Sequence, residues 1–305
     1  MLNLAARVGS LALKNPVILA SGTCGYGEAY KDFYAPSRLG AIVTKGISLK
    51  PRHGNPPPRI YETPAGMLNS IGLENIGLKK FVSDKLPWLI QNQVAALVNI
   101  FGEEEEEYVE LAKRLSGLPG ISGLELNLSC PNVPKGGIEF GRDRGAVESI
   151  TSRVKSISKI PVWVKLTVNR CDPVPLAQAA ESAGADAVVL SNTLRGMAIE
   201  LEKKRPALAS VTGGLSGPAL KPVALAAVHD TVAAVKIPVV ACGGIFSGRD
   251  ALEFLLAGAR AVEVGTAALV NPLAPLEMLK EMKNYLTGLK VKSLDDWSGS
   301  LNHNG

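Results

Sequence analysis

Short apolar runs, each closing on a polar or glycine-bearing end and each followed by a stretch of helical period, recur eight times along the chain. The first four are Pro16–Ala20 before Ser21-Gly22-Thr23, Ala41–Val43 before Thr44-Lys45-Gly46, Val94–Val98 before Asn99, and Leu124–Leu126 before Asn127. The others are Val162–Val164 before Lys165, Ala187–Leu190 before Ser191-Asn192-Thr193, Val239–Cys242 before Gly243-Gly244, and Ala261–Val264 before Gly265-Thr266. Apolar-rich runs of this length, two of them interrupted by a single carboxylate, suit strands buried on both faces, and the amphipathic stretches between them suit crossover helices. The pattern predicts helices over Glu28–Pro36, Ile76–Ile90, Glu103–Leu115, Asp143–Ile157, Pro175–Ser182, Pro218–Val235, Gly248–Leu256 and Pro275–Leu286. Several open on a cap or a first-turn proline, such as Asp172-Pro173 and Gly217-Pro218. The acidic run Glu103–Glu107 suits a helix's first turn and reads as a solvated face.

Eight strand–helix units predict an α/β fold of the (β/α)8 TIM-barrel type, with extended loops at its C-terminal face, where the sites of such barrels lie. Two connections are longer than a βα turn needs. Residues 47–75 carry a Pro56-Pro57-Pro58 run in which one prolyl bond is a candidate for cis, and residues 194–217 end in Thr212-Gly213-Gly214-Leu215-Ser216-Gly217. Long loops in compact domains are usually lids or binding loops. No repeat or linker divides the chain, so one domain is expected over 1–305, with its core at about 3–286 and a tail at 287–305.

Composition narrows the function classes. Hydrophobic residues make up 46% of the 305, ample for a large core, and no run approaches the ~18 apolar residues of a membrane span. The N-terminus lacks the pattern of a signal peptide. Cys24, Cys130, Cys171 and Cys242 show no metal spacing and fit reduced cytoplasmic thiols. His53, His229 and His303 have no metal-like neighbours, so no metal is assigned. The net charge of +5 comes without a Lys/Arg run and suits small anions better than nucleic acid.

The candidate chemistry falls at the strand ends. Gly243-Gly244 and Gly265-Thr266 follow strands seven and eight, the usual phosphate site of this architecture, and Gly217 could close the same pocket. Lys45 and Lys165 end apolar strands, where an unpaired ammonium is costly. Each therefore needs an anion or carbonyl, either a ligand's or that of a barrel carboxylate such as Glu125 or Glu263. The amides of Asn69, Asn99, Asn127, Asn132 and Asn192, with Thr193, suit a heterocycle that alternates N–H and C=O groups. Within Asn127-Leu128-Ser129-Cys130-Pro131-Asn132 the two amides flank a thiol able to move a proton, though a buried inert thiol beside a turn is the plain alternative. Cys242, inside strand seven, is expected to pack, and Cys24 to line the pocket passively.

Asn69-Ser70-Ile71-Gly72-Leu73, the Asn127–Asn132 hexapeptide, Ser191-Asn192-Thr193, Gly214-Leu215-Ser216-Gly217-Pro218 and Ala241-Cys242-Gly243-Gly244-Ile245 resemble the dihydroorotate dehydrogenase family. The resemblance runs over about residues 3 to 285, with the motifs in order at consecutive barrel positions. It implies an FMN-binding barrel that oxidises dihydroorotate to orotate in pyrimidine synthesis. Cys130 in place of a serine is similar to the soluble class 1 enzymes, and Gly136-Gly137-Ile138-Glu139-Phe140-Gly141 resembles the NAD-linked class 1B. That class implies a homodimer joined to an electron-transfer subunit carrying FAD and a 2Fe–2S cluster, as a heterotetramer. Consistently, this chain has no Rossmann fingerprint and no cluster cysteines.

By motif, the resemblance makes Cys130 the base that removes the C5 proton. It places Lys45, Asn69, Ser70, Ile71, Gly72, Leu73, Asn127, Asn132, Asn192 and Thr193 on the substrate. Ser21, Lys45, Gly46, Asn99, Asn127, Lys165 and Ser191 would hold the flavin, and Gly217, Gly243, Gly244, Gly265 and Thr266 its phosphate. Ser191 departs from the branched apolar residue of the family, and Asp143-Arg144 from its Asp-Pro. Rival readings are a fumarate-dependent class 1A enzyme, a dihydropyrimidine-dehydrogenase-like enzyme acting on uracil, a tRNA dihydrouridine synthase, and a flavin module without catalysis. The nineteen residues from 287 to 305 are too few for the synthase's RNA-binding domain.

Overall fold

Eight parallel strands close on themselves in the computed structural model, which describes residues 2–128 and 141–302. They are β1 (Val17–Leu19), β2 (Ala41–Val43), β3 (Ala96–Ile100), β4 (Ile121–Asn127), β5 (Val162–Lys165), β6 (Ala187–Leu190), β7 (Val239–Cys242) and β8 (Ala261–Val264). Each pairs with its neighbours in sequence, and β8 returns to β1 with Val262 opposite Val17 and Val264 opposite Leu19.

Strand alternation sorts the side chains into two cores. Ile18, Ala41, Val43, Leu97, Trp163, Ala187, Val189, Val240 and Ala261 point inward and fill the barrel. Their outward neighbours, among them Val17, Leu19, Ile42, Val98, Leu126 and Val262, pack under the helices in a larger cluster. Two residues beyond Leu97, Gly123, Trp163, Val240 and Ala261, the next inward positions are Asn99, Glu125, Lys165, Cys242 and Glu263. The interior therefore changes from apolar to polar as it approaches the C-terminal mouth.

A hairpin of Ala6–Val8 and Leu11–Leu13, which the apolar pattern did not assign, puts Val8 and Leu13 into the inner cluster. The helices at Arg144–Ile157, Pro173–Ser182 and Gly248–Leu256 start on side-chain caps from Asp143, Asp172 and Ser247. The acid run has fixed partners: Glu104 and Glu107 form a capping box for Glu105–Leu115, while Glu105 and Glu106 pair with Arg153.

Two expected helices differ. Glu28–Pro36 is replaced by 3-10 turns at Glu28–Tyr30 and Pro36–Arg38, because Ala35 before the proline is held extended. The Ile76–Ile90 stretch becomes Gly77–Lys80 and Leu86–Gln91 joined by a π-turn at Phe81–Lys85, where Pro87 has no N–H to return to Ser83. An unforeseen short helix, Thr266–Val270, follows β8, and the last helix spans Ala274–Gly288. The chain after it packs back on the barrel: Leu294 is buried and hydrogen-bonds Asn3, and the Trp297 indole donates to the Leu252 carbonyl (3.0 Å).

The two long connections meet over the mouth. Ile60–Thr63 and Gly66–Asn69 from the first join Leu194–Gly196 and Gly213–Ser216 from the second in a four-stranded antiparallel sheet. Arg59 braces the first connection through Glu74 and the Asn55 and His53 carbonyls. The Pro57–Pro58 bond is cis, as is the non-prolyl Leu190–Ser191 bond. None of the described helices is long and apolar enough to cross a membrane.

The sheet depends on backbones in near contact: a Cβ on Gly66 would stand 2.0 Å from the Ser216 carbonyl oxygen. Gly66→Ala is therefore expected to lower stability by about 1–3 kcal/mol through overpacking, read by urea denaturation. An unchanged midpoint would show that the two connections are not coupled as the geometry indicates.

Candidate active site

The C-terminal ends of all eight strands open into one cavity roofed by the four-stranded sheet. Its wall is built from Ser21 after β1, Lys45 and Gly46 after β2, Asn99 of β3, Asn127 of β4, Lys165 of β5, and Ser191, Asn192 and Thr193 after β6. Gly243 and Gly244 after β7 and Gly265 and Thr266 after β8 close one side, and Asn69, Ile71, Gly72, Leu73 and Gly217 come from the long connections. These expected residues thus converge from ten separate segments. Ser70 does not join them: its hydroxyl is buried and turned into the loop, bonded to Asn55 (2.7 Å) and Ser210 (2.6 Å). Cys130 and Asn132 lie outside the described residues.

The two lysines have different surroundings. Lys165 is buried, and its Nζ donates to Glu263 Oε2 at 2.7 Å, with Glu125 Oε1 at 3.7 Å. Glu125 also accepts from Asn99 Nδ2 at 2.6 Å. Burial works against the charge on Lys165, yet its acidic neighbours, the Glu125 and Glu263 carboxyl groups among them, hold its pKa well above the ordinary lysine value. Glu125 moves upward too, first because it is desolvated and then because Glu263 repels a second negative charge. Lys45 is half-buried and has no acidic partner among the described residues, so its ammonium is available to an anion in the cavity.

The remaining polar groups are held by local bonds. Ser21 Oγ donates to the Thr44 carbonyl (2.7 Å), tying the ends of β1 and β2. Tyr108 donates to the Asn127 carbonyl (3.0 Å) beneath the last turn of β4. Asn69 Nδ2 reaches the Gly214 carbonyl (3.2 Å) across the roof, and Thr266 Oγ1 reaches Ser216 Oγ (2.8 Å). Gly243 and Gly244 adopt φ of 122° and 74°, and a Cβ on Gly244 would stand 2.3 Å from the Lys221 amide nitrogen. That turn therefore requires glycine for packing against the helix start at Lys221–Ala234 as well as for access to a ligand.

The cavity fits a flavin mononucleotide in its chemistry. Buried Asn99 Oδ1 and Ser191 Oγ have no hydrogen-bond partner among the described residues, and both residues face the cavity. Orphaned polar atoms of this kind call for a polar ligand. A Cβ on Gly46 would stand 2.8 Å from that Asn99 oxygen and 3.0 Å from the Phe101 ring, so only a bare backbone leaves this wall open. The glycine turns after β7 and β8 stand where barrels of this kind take a phosphate. No cluster of metal-ligating side chains occurs among the described residues.

Several lining residues were not singled out in the sequence. Phe101, Met67, Phe246 and Leu269 give apolar surface for a ring, but nothing distinguishes them from core residues before folding. Cys242 packs against the inner barrel core, as expected, and as the inward residue at the end of β7 it also lines the cavity beside Glu263. Strand parity carried that signal. Cys24 points the other way, into the outer core, and donates to the Val43 carbonyl (3.2 Å).

The sequence model of the family described as Dihydroorotate dehydrogenase matches residues 3–286. Among curated relatives, proteins of Citrifermentans bemidjiense and Trichlorobacter lovleyi are 50% identical over 299 residues and 51% over 298, covering 98% of this chain and 98% of theirs. Both are named dihydroorotate dehydrogenase B (NAD(+)), catalytic subunit. Among solved structures, the Eimeria tenella enzyme DHODH in complex with ferulenol is similar at a TM-score of 0.81 and 25% identity, covering 98% of this chain and 88% of that one.

Cys242 makes a prediction about reactivity. Desolvation, only partly offset by Lys165, pushes its thiol up to about 12. The thiolate is the reactive form, so its fraction is negligible near pH 8 and rises about tenfold per pH unit up to that value. Iodoacetamide at pH 8 should leave Cys242 of the native protein unmodified although it faces the cavity, with labelling growing as pH increases. Peptide mass spectrometry reads the outcome, and rapid labelling at pH 8 would contradict the assigned environment.

Proposed function

Since this chain belongs to the dihydroorotate dehydrogenase family, we propose that its cavity binds FMN and (S)-dihydroorotate and that the protein oxidises the latter to orotate in pyrimidine synthesis. The observation that carries this reading is the convergence, in one cavity, of an ammonium with no acidic partner among the described residues, several strand-end amides and the glycine turns after β7 and β8. Lys45 supplies the positive charge for the substrate carboxylate. Asn69, Asn127, Asn192 and Thr193 present donors and acceptors to its ring amides. Gly217, Gly243, Gly244, Gly265 and Thr266 take the cofactor's phosphate. Ser21, Gly46, Asn99 and Ser191 surround its polar edge.

When bound, FMN supplies the acceptor for the hydride that leaves the substrate. The chain's own task is to remove a proton, and the family resemblance gives it to Cys130, three residues beyond the end of β4 in sequence. Thiols serve as general bases when held within hydrogen-bond reach of the proton. Lys165 adds a fixed positive charge on the cavity floor, which favours an electron-rich ring above it. A group positioned this way acts in the transition state without reorganising.

The relatives' names support an NAD-linked enzyme in which electrons pass to a second subunit. We infer a partner carrying FAD and a 2Fe–2S cluster, assembled with a dimer of this chain as a heterotetramer in the cytoplasm. Uracil lacks the carboxylate that Lys45 is placed to meet, and this argues for dihydroorotate over a dihydropyrimidine substrate.

Two measurements test the reading. Dihydroorotate should bleach the bound flavin of the purified chain under anaerobic conditions, while NAD should reoxidise it only when the partner is added. Bleaching by uracil's dihydro form with dihydroorotate inert would overturn the substrate assignment. Cys130→Ala should retain FMN and lose about 10²–10⁴-fold in turnover; loss of the flavin in that variant would remove the cysteine from the role of base.

A further inference from the structure

The floor of the cavity holds more acid than its single ammonium balances. Glu125 and Glu263 are both fully buried, as is nearly all of Lys165. Their pairing is complete on one side only. Lys165 Nζ reaches Glu263 Oε2 at 2.7 Å, and Asn99 Nδ2 reaches Glu125 Oε1 at 2.6 Å. The other two oxygens, Glu125 Oε2 and Glu263 Oε1, are buried and receive no donor among the described residues. Both carboxyl groups crowd the same ammonium, Glu263 Oε2 at 2.7 Å and Glu125 Oε1 at 3.7 Å.

Two ionised carboxylates in this arrangement would leave one uncompensated negative charge buried in the barrel, where desolvation makes it costly. They would also leave both of those buried oxygens as acceptors without a donor and set two like charges around one ammonium, which repels rather than binds. One proton removes both faults, because a neutral carboxylic acid offers one O–H donor to its neighbour. The proton belongs on Glu125: Glu263 holds the shorter contact to the ammonium, whereas Glu125 is satisfied at its first oxygen by a neutral amide. The remaining titratable neighbour, Cys242, is a weak acid held still weaker by burial and carries no charge into the count.

We propose that Glu125 is a neutral carboxylic acid that donates its proton to Glu263, so that the buried pair carries a single charge matched to Lys165 and acts as the positioning device for that ammonium on the cavity floor. Neither glutamate is assigned to substrate or cofactor, and both act through Lys165. The protonation state follows from the geometry alone; its consequence for the cofactor rests on the flavin reading above.

Infrared spectroscopy of the purified, flavin-loaded chain tests it. The wild type should show the carbonyl stretch of a protonated carboxyl at neutral pH, shifted down in D2O. The band should vanish in Glu125→Gln, which removes the acid. It should also vanish in Glu263→Gln, where Glu125 ionises to take over the ammonium. Absence of the band in the wild type, or its survival in both variants, would overturn the proposal. The flavin midpoint potential is the second readout. Glu125→Gln replaces one neutral group by another and should leave the potential near the wild-type value. The double Glu125→Gln/Glu263→Gln variant leaves Lys165 unmatched and should move it to more positive values. A comparable positive shift in Glu125→Gln alone would mean that a negative charge had been removed, and the proposal would fall. If the chain takes up no flavin, the reading of the site as a flavoprotein fails, while the infrared band still decides the protonation of Glu125.

Discussion

An ammonium inside a β-barrel has to be matched or expelled, and the matching of Lys165 organises the rest of this molecule. Its partners come from β8 and β4, and β3 supplies the amide that holds the second carboxyl. The polar layer therefore links strands on different sides of the barrel. Replacing one partner of such a buried pair by an apolar residue typically costs about 3–5 kcal/mol, because the other is left charged and dry. Below this layer the interior is an ordinary apolar filling of Trp163, Val189, Val240 and their neighbours. Above it lies the cavity. The layer is thus both the upper limit of the core and the floor of the site.

The roof answers a different requirement. A barrel mouth built from short turns is open to water, and a reaction that separates a proton from a hydride benefits from a drier setting. Here the two long connections pair with each other as a sheet, using main-chain hydrogen bonds between Gly66–Asn69 and Gly213–Ser216. Glycines at 66 and 213 let those backbones approach within distances that any side chain would block, and Gly214 leaves room for the Thr193 side chain. The same strands carry Asn69 and Ser216 to the cavity wall, so closing the roof and presenting polar groups are one structural act.

Much of this was legible along the chain. Apolar-rich runs of three to five residues, each ending on a polar group or a glycine, are enough to imply parallel strands, and eight of them imply closure, because no edge then remains unpaired. Strand parity alone puts Glu125 beside Asn127 and Glu263 beside Gly265 on the inward face, since side chains alternate with a period of two. The helix caps at Asp143, Asp172 and Ser247 are likewise local chemistry. Local signals failed where a proline acted at a distance from the pattern, as in the π-turn before Pro87, and where a short hairpin ahead of β1 has meaning only as a plug for the barrel.

The sequence by itself determined the barrel, the side of the barrel that carries chemistry and most of the polar residues at its mouth, because periodicity and turn chemistry are properties of neighbouring residues. Only the tertiary structure decided how those residues divide their work. It gave Lys165 to Glu263 and Glu125 while leaving Lys45 on the cavity wall with no acidic partner among the described residues, turned the Ser70 hydroxyl into its loop, brought Cys242 to the cavity and kept Cys24 out of it, and joined two connections more than a hundred residues apart into one roof. Each of these is a contact between segments remote in sequence. Its free energy depends on burial and on what else the partner can bond, and neither exists until the barrel closes.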